Sequence, residues 1–127
     1  PLEGLIGVYE FEDYNATDNL TNYKGYSGNG YVDLNQLPSA TLLSVYTPYQ
    51  MGQNTYNLAI RYAAAQSQTV NVSVNGTTTS HEFISTGSLY DWGDVLIPIS
   101  LSEGEHDITI SGATSDSLNL DKAHITK

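Results

Sequence analysis

The sequence predicts an all-β fold, a sandwich of two antiparallel sheets. Three observations predict it. Short alternating segments recur between turn residues, helical periodicity is nearly absent, and Asn75-Gly76 closes the run Thr69-Val70-Asn71-Val72-Ser73-Val74, whose valines share one face. The alternation makes the valine face core and the Thr, Asn and Ser face solvent, and Asn-Gly supplies the positive φ angles of a tight hairpin.

The same logic places strands near Gly7 to Glu12, Leu42 to Tyr49, Tyr56 to Ala63, Val95 to Leu101, His106 to Ser111 and Leu118 to Ile125. About nine strands result, joined by turns as a sandwich requires. Pro48 and Pro98 fall at strand ends or edges, where a missing N–H costs least. Two stretches read as irregular: Asn15 to Asn29, rich in Asn, Thr, Ser and Gly, and Ser85 to Gly93, which carries Tyr90, Asp91 and Trp92 between turn-formers.

A chain of 127 residues buries one continuous core, so residues 1–127 are read as a single domain. No apolar run reaches the length of a spanning helix, and Pro1-Leu2-Glu3-Gly4 lacks the charged and apolar regions of a signal peptide. The expectation is a module cut from a longer secreted precursor and acting away from membranes. Four basic residues against fourteen acidic ones give a formal charge of −10. Nucleic acid is thereby excluded as a partner, because neutralising phosphates takes clustered Lys and Arg. With no cysteine there is neither a disulfide nor a thiolate metal site.

Glu10-Phe11-Glu12 puts two carboxylates on one strand face and Phe11 on the other. Two such acids form a solvated edge, or a site for a hard cation, or a catalytic pair flanking a sugar bond. A glycosidase also needs a deep cleft with a differentiated acid and base, for which this length leaves little chain. The histidines, His81, His106 and His124, show no metal spacing and accompany no nucleophile elbow. They read as solvated strand residues, with His124 half-buried beside Ile125. Catalysis is not expected.

The aromatic residues carry more information. Tyr23, Tyr26 and Tyr31 cluster in a Gly-rich segment, and Tyr90 and Trp92 share a loop. Rings bordered by Asn, Asp and Gln suit sugars, whose C–H faces are apolar and whose edges are polar. Equally, Trp92 is readable as the core tryptophan of a sandwich with the tyrosines capping its ends. Composition leaves both open.

Tyr9-Glu10-Phe11-Glu12-Asp13, Gly25-Tyr26-Ser27-Gly28-Asn29-Gly30-Tyr31-Val32 and Tyr56-Asn57-Leu58-Ala59-Ile60-Arg61-Tyr62-Ala63 follow one another in a telling order. Val72-Ser73-Val74-Asn75-Gly76 comes next, then Trp92 ahead of Leu101-Ser102-Glu103-Gly104-Glu105-His106-Asp107-Ile108, and last Leu118-Asn119-Leu120-Asp121. Together these six blocks resemble the carbohydrate-binding modules of family 35 and the related family 6. The resemblance implies a β-jelly-roll sandwich with a structural Ca²⁺ near one edge and a sugar site in loops at one end. It implies Glu10, Glu12 and Asp121 as calcium carboxylates, helped by a carbonyl from the stretch Lys24 to Ser27. It also implies Tyr31, Trp92 and Asn119 as sugar contacts, with Tyr26 as the alternative stacking ring and Tyr90 standing where a second aromatic is usual. Arg61 matches a strand motif and is read as structural.

The function these readings imply is non-catalytic. A monomeric module would bind polysaccharide and target a covalently linked glycoside hydrolase to neutral hemicellulose, mannan or galactomannan ahead of xylan. The alternatives are a structural or adhesion domain mediating protein contacts, and a module for uronic-acid-containing pectin acting through calcium.

Overall fold

The structure, a computed structural model, describes residues 5–11, 25, 26, 28, 30–34, 40–47, 55–102, 104–112 and 118–126. Its strands are β1 (Leu5–Glu10), β2 (Val32–Asp33), β3 (Ala40–Thr47), β4 (Thr55–Ala63), β5 (Gln68–Val74), β6 (Thr77–Phe83), β7 (Gly93–Ser100), β8 (Gly104–Gly112) and β9 (Asn119–Thr126). One sheet runs β1-β9-β4-β7, with β2 also paired to β9, and the other runs β3-β8-β5-β6. Every pairing is antiparallel. Among the described residues no helix is long and apolar enough to cross a membrane.

Alternation builds the core. Tyr56, Leu58, Ile60 and Tyr62 of β4 face Val70 and Val72 of β5 and Ile108 and Ile110 of β8 across the sandwich, and all are buried. The predicted Asn75-Gly76 hairpin is present: Val74 pairs with Thr77, and the two turn residues have φ 51° and 90°. Those angles are what a two-residue turn matched to the strand twist demands.

The β9 strand positions the rest of the molecule. It is flanked by β4 on one side, and on the other by β1 at Lys122 to Thr126 and β2 at Asn119 and Leu120. From Leu118, just before it, the buried apolar residues change parity, Leu118 and Leu120 giving way to Ala123 and Ile125. The pairing with β4 slips at that point, where Arg61 lies opposite Lys122 but Tyr62 opposite Leu120. Asp121 is thus the extra residue of a bulge, a feature that re-aims a side chain.

Candidate functional site

Three elements meet at the end of the first sheet: the residues Gly25, Tyr26 and Tyr31, the loop between β6 and β7, and the start of β9. The loop is pegged to the scaffold. The N–H of Thr86 donates to the Ala64 carbonyl at 2.9 Å, and Thr86 Oγ1 accepts the Ala64 N–H at 3.0 Å. Ser88 Oγ donates to Asp91 Oδ2 at 2.9 Å, and Asn119 Nδ2 donates to the Leu89 carbonyl at 2.9 Å. With these bonds the loop that presents Tyr90 and Trp92 is held from both sides.

The aromatic residues form a tier. Tyr31 is buried, at 1% exposure, and meets Trp92 edge-on with ring centroids 5.5 Å apart. Tyr26 leans on Tyr31 at 5.9 Å, and both Tyr26 and Trp92 are half-buried. Tyr90, next but one to Trp92, is 60% exposed. Trp92 therefore stands outside the core cluster, and its reading as the core tryptophan of the sandwich is set aside.

Beneath Trp92 lies a residue that sequence reasoning assigned to the scaffold alone. The Arg61 guanidinium carbon sits 5.4 Å from the Trp92 ring centroid, within cation–π range. Its Nη1 donates to Asp121 Oδ2 at 2.7 Å and to the Gly25 carbonyl at 2.6 Å. Gly25 itself has φ 99°, and a Cβ there would stand 2.8 Å from Trp92 Cδ1. Glycine is needed on both counts, conformation and space. Arg61 thus ties turn, bulge and indole together, which extends its structural role into the site. The sequence signal was available in the parity change of β9, which predicts a bulge that turns Asp121 toward Arg61.

The structure turns two of the expected sugar contacts inward. Tyr31 is buried against Trp92 and Tyr26 and supports their rings. Asn119 is 2% exposed, and its amide donates to the Leu89 carbonyl and so anchors the loop. One reading is corrected: His106, expected to be solvated, is 5% exposed. It faces inward in step with Ile108 and Ile110, and its ring nitrogens lie 2.6 Å from both Asn75 Nδ2 and the Ser102 carbonyl. Half-burial of His124 is as expected.

Of the expected calcium carboxylates, Glu10 is half-buried and lies opposite Lys122 in the β1–β9 pairing, one position from Asp121. Asp121 is fully buried. Glu12 lies outside the described residues. Among the described residues no three acidic or histidine side chains gather into a metal cluster.

No family model and no curated protein matches the sequence. Solved structures do. A family 35 carbohydrate-binding module from Paenibacillus barcinonensis is 28% identical, with a TM-score of 0.78 over 95% of this chain and 98% of that one. One from Clostridium thermocellum is 26% identical, with a TM-score of 0.80 over 96% and 99%. The chain is similar in fold along its whole length to family 35 carbohydrate-binding modules. A further match, an exo-β-1,3-galactanase from Phanerochaete chrysosporium solved with galactose, is 23% identical over 94% of this chain and 29% of the enzyme, and shares the fold. The two whole-length matches are binding modules rather than enzymes, and the non-catalytic reading of the sequence stands with them. The jelly-roll sandwich of two antiparallel sheets expected for a family 35 module is the architecture found.

Proposed function

We propose that this chain acts as a family 35 carbohydrate-binding module, which binds a neutral plant hemicellulose, mannan or galactomannan ahead of xylan, and holds an appended glycoside hydrolase beside it outside the cell. The observation that carries the reading is the tier of rings at one end of the sandwich. There Trp92 is fixed from below by Tyr31 and Arg61, and Tyr90 stands exposed on the same pegged loop. A ring immobilised before the ligand arrives loses little entropy on binding. Neutral sugars are favoured because Arg61, the sole arginine of the sequence, already spends Nη1 on Asp121 and the Gly25 carbonyl. A uronic acid would be left without a bidentate partner on a strongly acidic module. Tethering then raises the local concentration of substrate around the enzyme without any chemistry by the module.

Calcium belongs to the same proposal. A wholly buried carboxylate next to a half-buried one, on adjacent strands, is a donor set of hard oxygens that suits Ca²⁺. Glu10 and Asp121 would hold it together with Glu12, and the ion would add positive charge beside the Arg61–Asp121 ion pair. Its contribution would be structural, joining β1 to β9.

Affinity electrophoresis in gels containing galactomannan, xylan or pectin tests the binding. Galactomannan should retard the protein most. The Trp92→Ala variant should lose about 2 to 3 kcal/mol of binding, the apolar burial of one stacked ring, or roughly 30- to 150-fold in Kd, with an unchanged circular dichroism spectrum. Unaltered mobility in all three gels would favour an adhesion role.

A further inference from the structure

Among the described residues no strand joins the two sheets along their β6 and β7 edges. β6 and β7 are the terminal strands of their sheets, and between them lies a cleft of about 360 Å³ bounded by Val74, Asn75, Thr77 and Thr79 on one wall and Pro98, Ile99 and Ser100 on the other. The β6 sequence opens it. Thr77, Thr79 and His81 pair directly with Val74, Val72 and Val70, so their side chains lie on the core-facing side of the sheet. Positions that would ordinarily carry apolar residues here carry hydroxyls, and Thr77 and Thr79 are exposed although they face inward. Thr79 Oγ1 is held 2.7 Å from His81 Nε2.

The composition of the cleft is selective. Among the described residues no charged side chain lines it, although the chain carries fourteen acidic residues. Hydroxyl and amide groups face apolar surface from Val74, Pro98 and Ile99, the pairing of polar edge and apolar face that a sugar ring presents. An added peptide strand is disfavoured, because Pro98 interrupts the donor row of β7, a usual guard against strand addition. Asn75 is fixed in place by His106 and by the Asp107 N–H, 3.3 Å from its Oδ1.

We propose that this cleft is a second carbohydrate subsite, taking one or two neutral sugar units of a glycan chain. The inference rests on the proposed function, and it places the subsite at the far end of β7 from Trp92. Eight residues at about 3.3 Å each separate the two ends by about 25 Å. A polysaccharide long enough to reach both would be held at two points, and its second contact would be intramolecular.

The test is a ¹⁵N-detected NMR titration of mannohexaose, and separately xylohexaose, into the wild-type chain, Trp92→Ala, and a Thr77→Val/Thr79→Val variant. The amides of residues 74–79, 99 and 100 should shift saturably in the wild type and in Trp92→Ala, while those of residues 89–93 respond in the wild type only. The double valine variant, which keeps β-branched side chains, should lose the cleft response at least tenfold and keep the response around Trp92. Stationary cleft amides beside a responsive Trp92 loop would overturn the subsite and leave the proposed function intact. Stationary amides everywhere, with both sugars, would overturn both. Cleft shifts produced by a capped Val-Thr heptapeptide and by neither sugar would assign the cleft to strand addition and overturn the subsite.

Discussion

Tyr62 illustrates how one side chain serves both core and site. Its ring packs on Phe83 at 4.9 Å, and its hydroxyl donates to the Ile84 carbonyl at 2.6 Å, pinning the first residue after β6. Burial, and secondarily the negative charge of Asp94, raise its pKa above the ordinary tyrosine value. Below about pH 10 the phenol is neutral in folded and unfolded chains alike, and its contribution is complete. Above that, the unfolded chain loses the proton first, so stability falls as pH rises until the folded group ionises too. Tyr62→Phe should therefore cost about 1 kcal/mol at pH 7, and its deficit should shrink toward pH 11. Urea denaturation of both proteins across pH 7 to 11 checks this, and a deficit constant with pH would contradict it. Arg61 carries the larger lesson at this scale. Its neighbours in sequence mark it as a strand residue, but its guanidinium reaches Asp121, sixty positions away, and the Trp92 ring. Side chains this long escape the periodicity by which a strand is read.

At the scale of elements, the β5–β6 hairpin is more than a turn. Asn75 adopts φ 51°, and its side chain meets His106 on β8 and accepts from the Asp107 N–H. Asn75→Gly suits the turn equally well but removes both contacts and leaves a buried imidazole nitrogen without its partner. The expected cost is about 1 to 2 kcal/mol, measured by denaturant midpoint. No loss of stability would mean that only the turn geometry matters. Strands with apolar alternation, β4 and β5 above all, were legible in the sequence, as was the hairpin. β6 was not, because Thr77 to Glu82 is polar on both faces of an edge strand that opens into a cleft. β2 has two residues, too few to show any period. In the site, Trp92 and Tyr90 could be placed on a loop from turn-formers alone. The burial of Tyr31 and Asn119 could not, because it depends on how the Gly-rich turn and the β6–β7 loop close over β9.

At the scale of the whole molecule, a −10 charge and a tier of rings at one end of the sandwich are what the proposal of a module for uncharged glycans rests on. If Ca²⁺ joins β1 to β9 through Glu10, Glu12 and Asp121, it stabilises the folded state by mass action. EDTA should then lower Tm, and added Ca²⁺ should restore it in proportion to the logarithm of its concentration. A thermal transition indifferent to EDTA, with no metal by elemental analysis, would contradict the calcium site and leave Asp121 to its ion pair with Arg61. The central claim, that the Trp92 end holds the glycan, has a direct reporter, since Trp92 is the only tryptophan in the sequence. Its fluorescence should be followed as galactomannan is added, with acrylamide quenching measured at each point. The account predicts a saturable change in emission and protection from the quencher; a protein retained by galactomannan whose emission and quenching stay constant would contradict it.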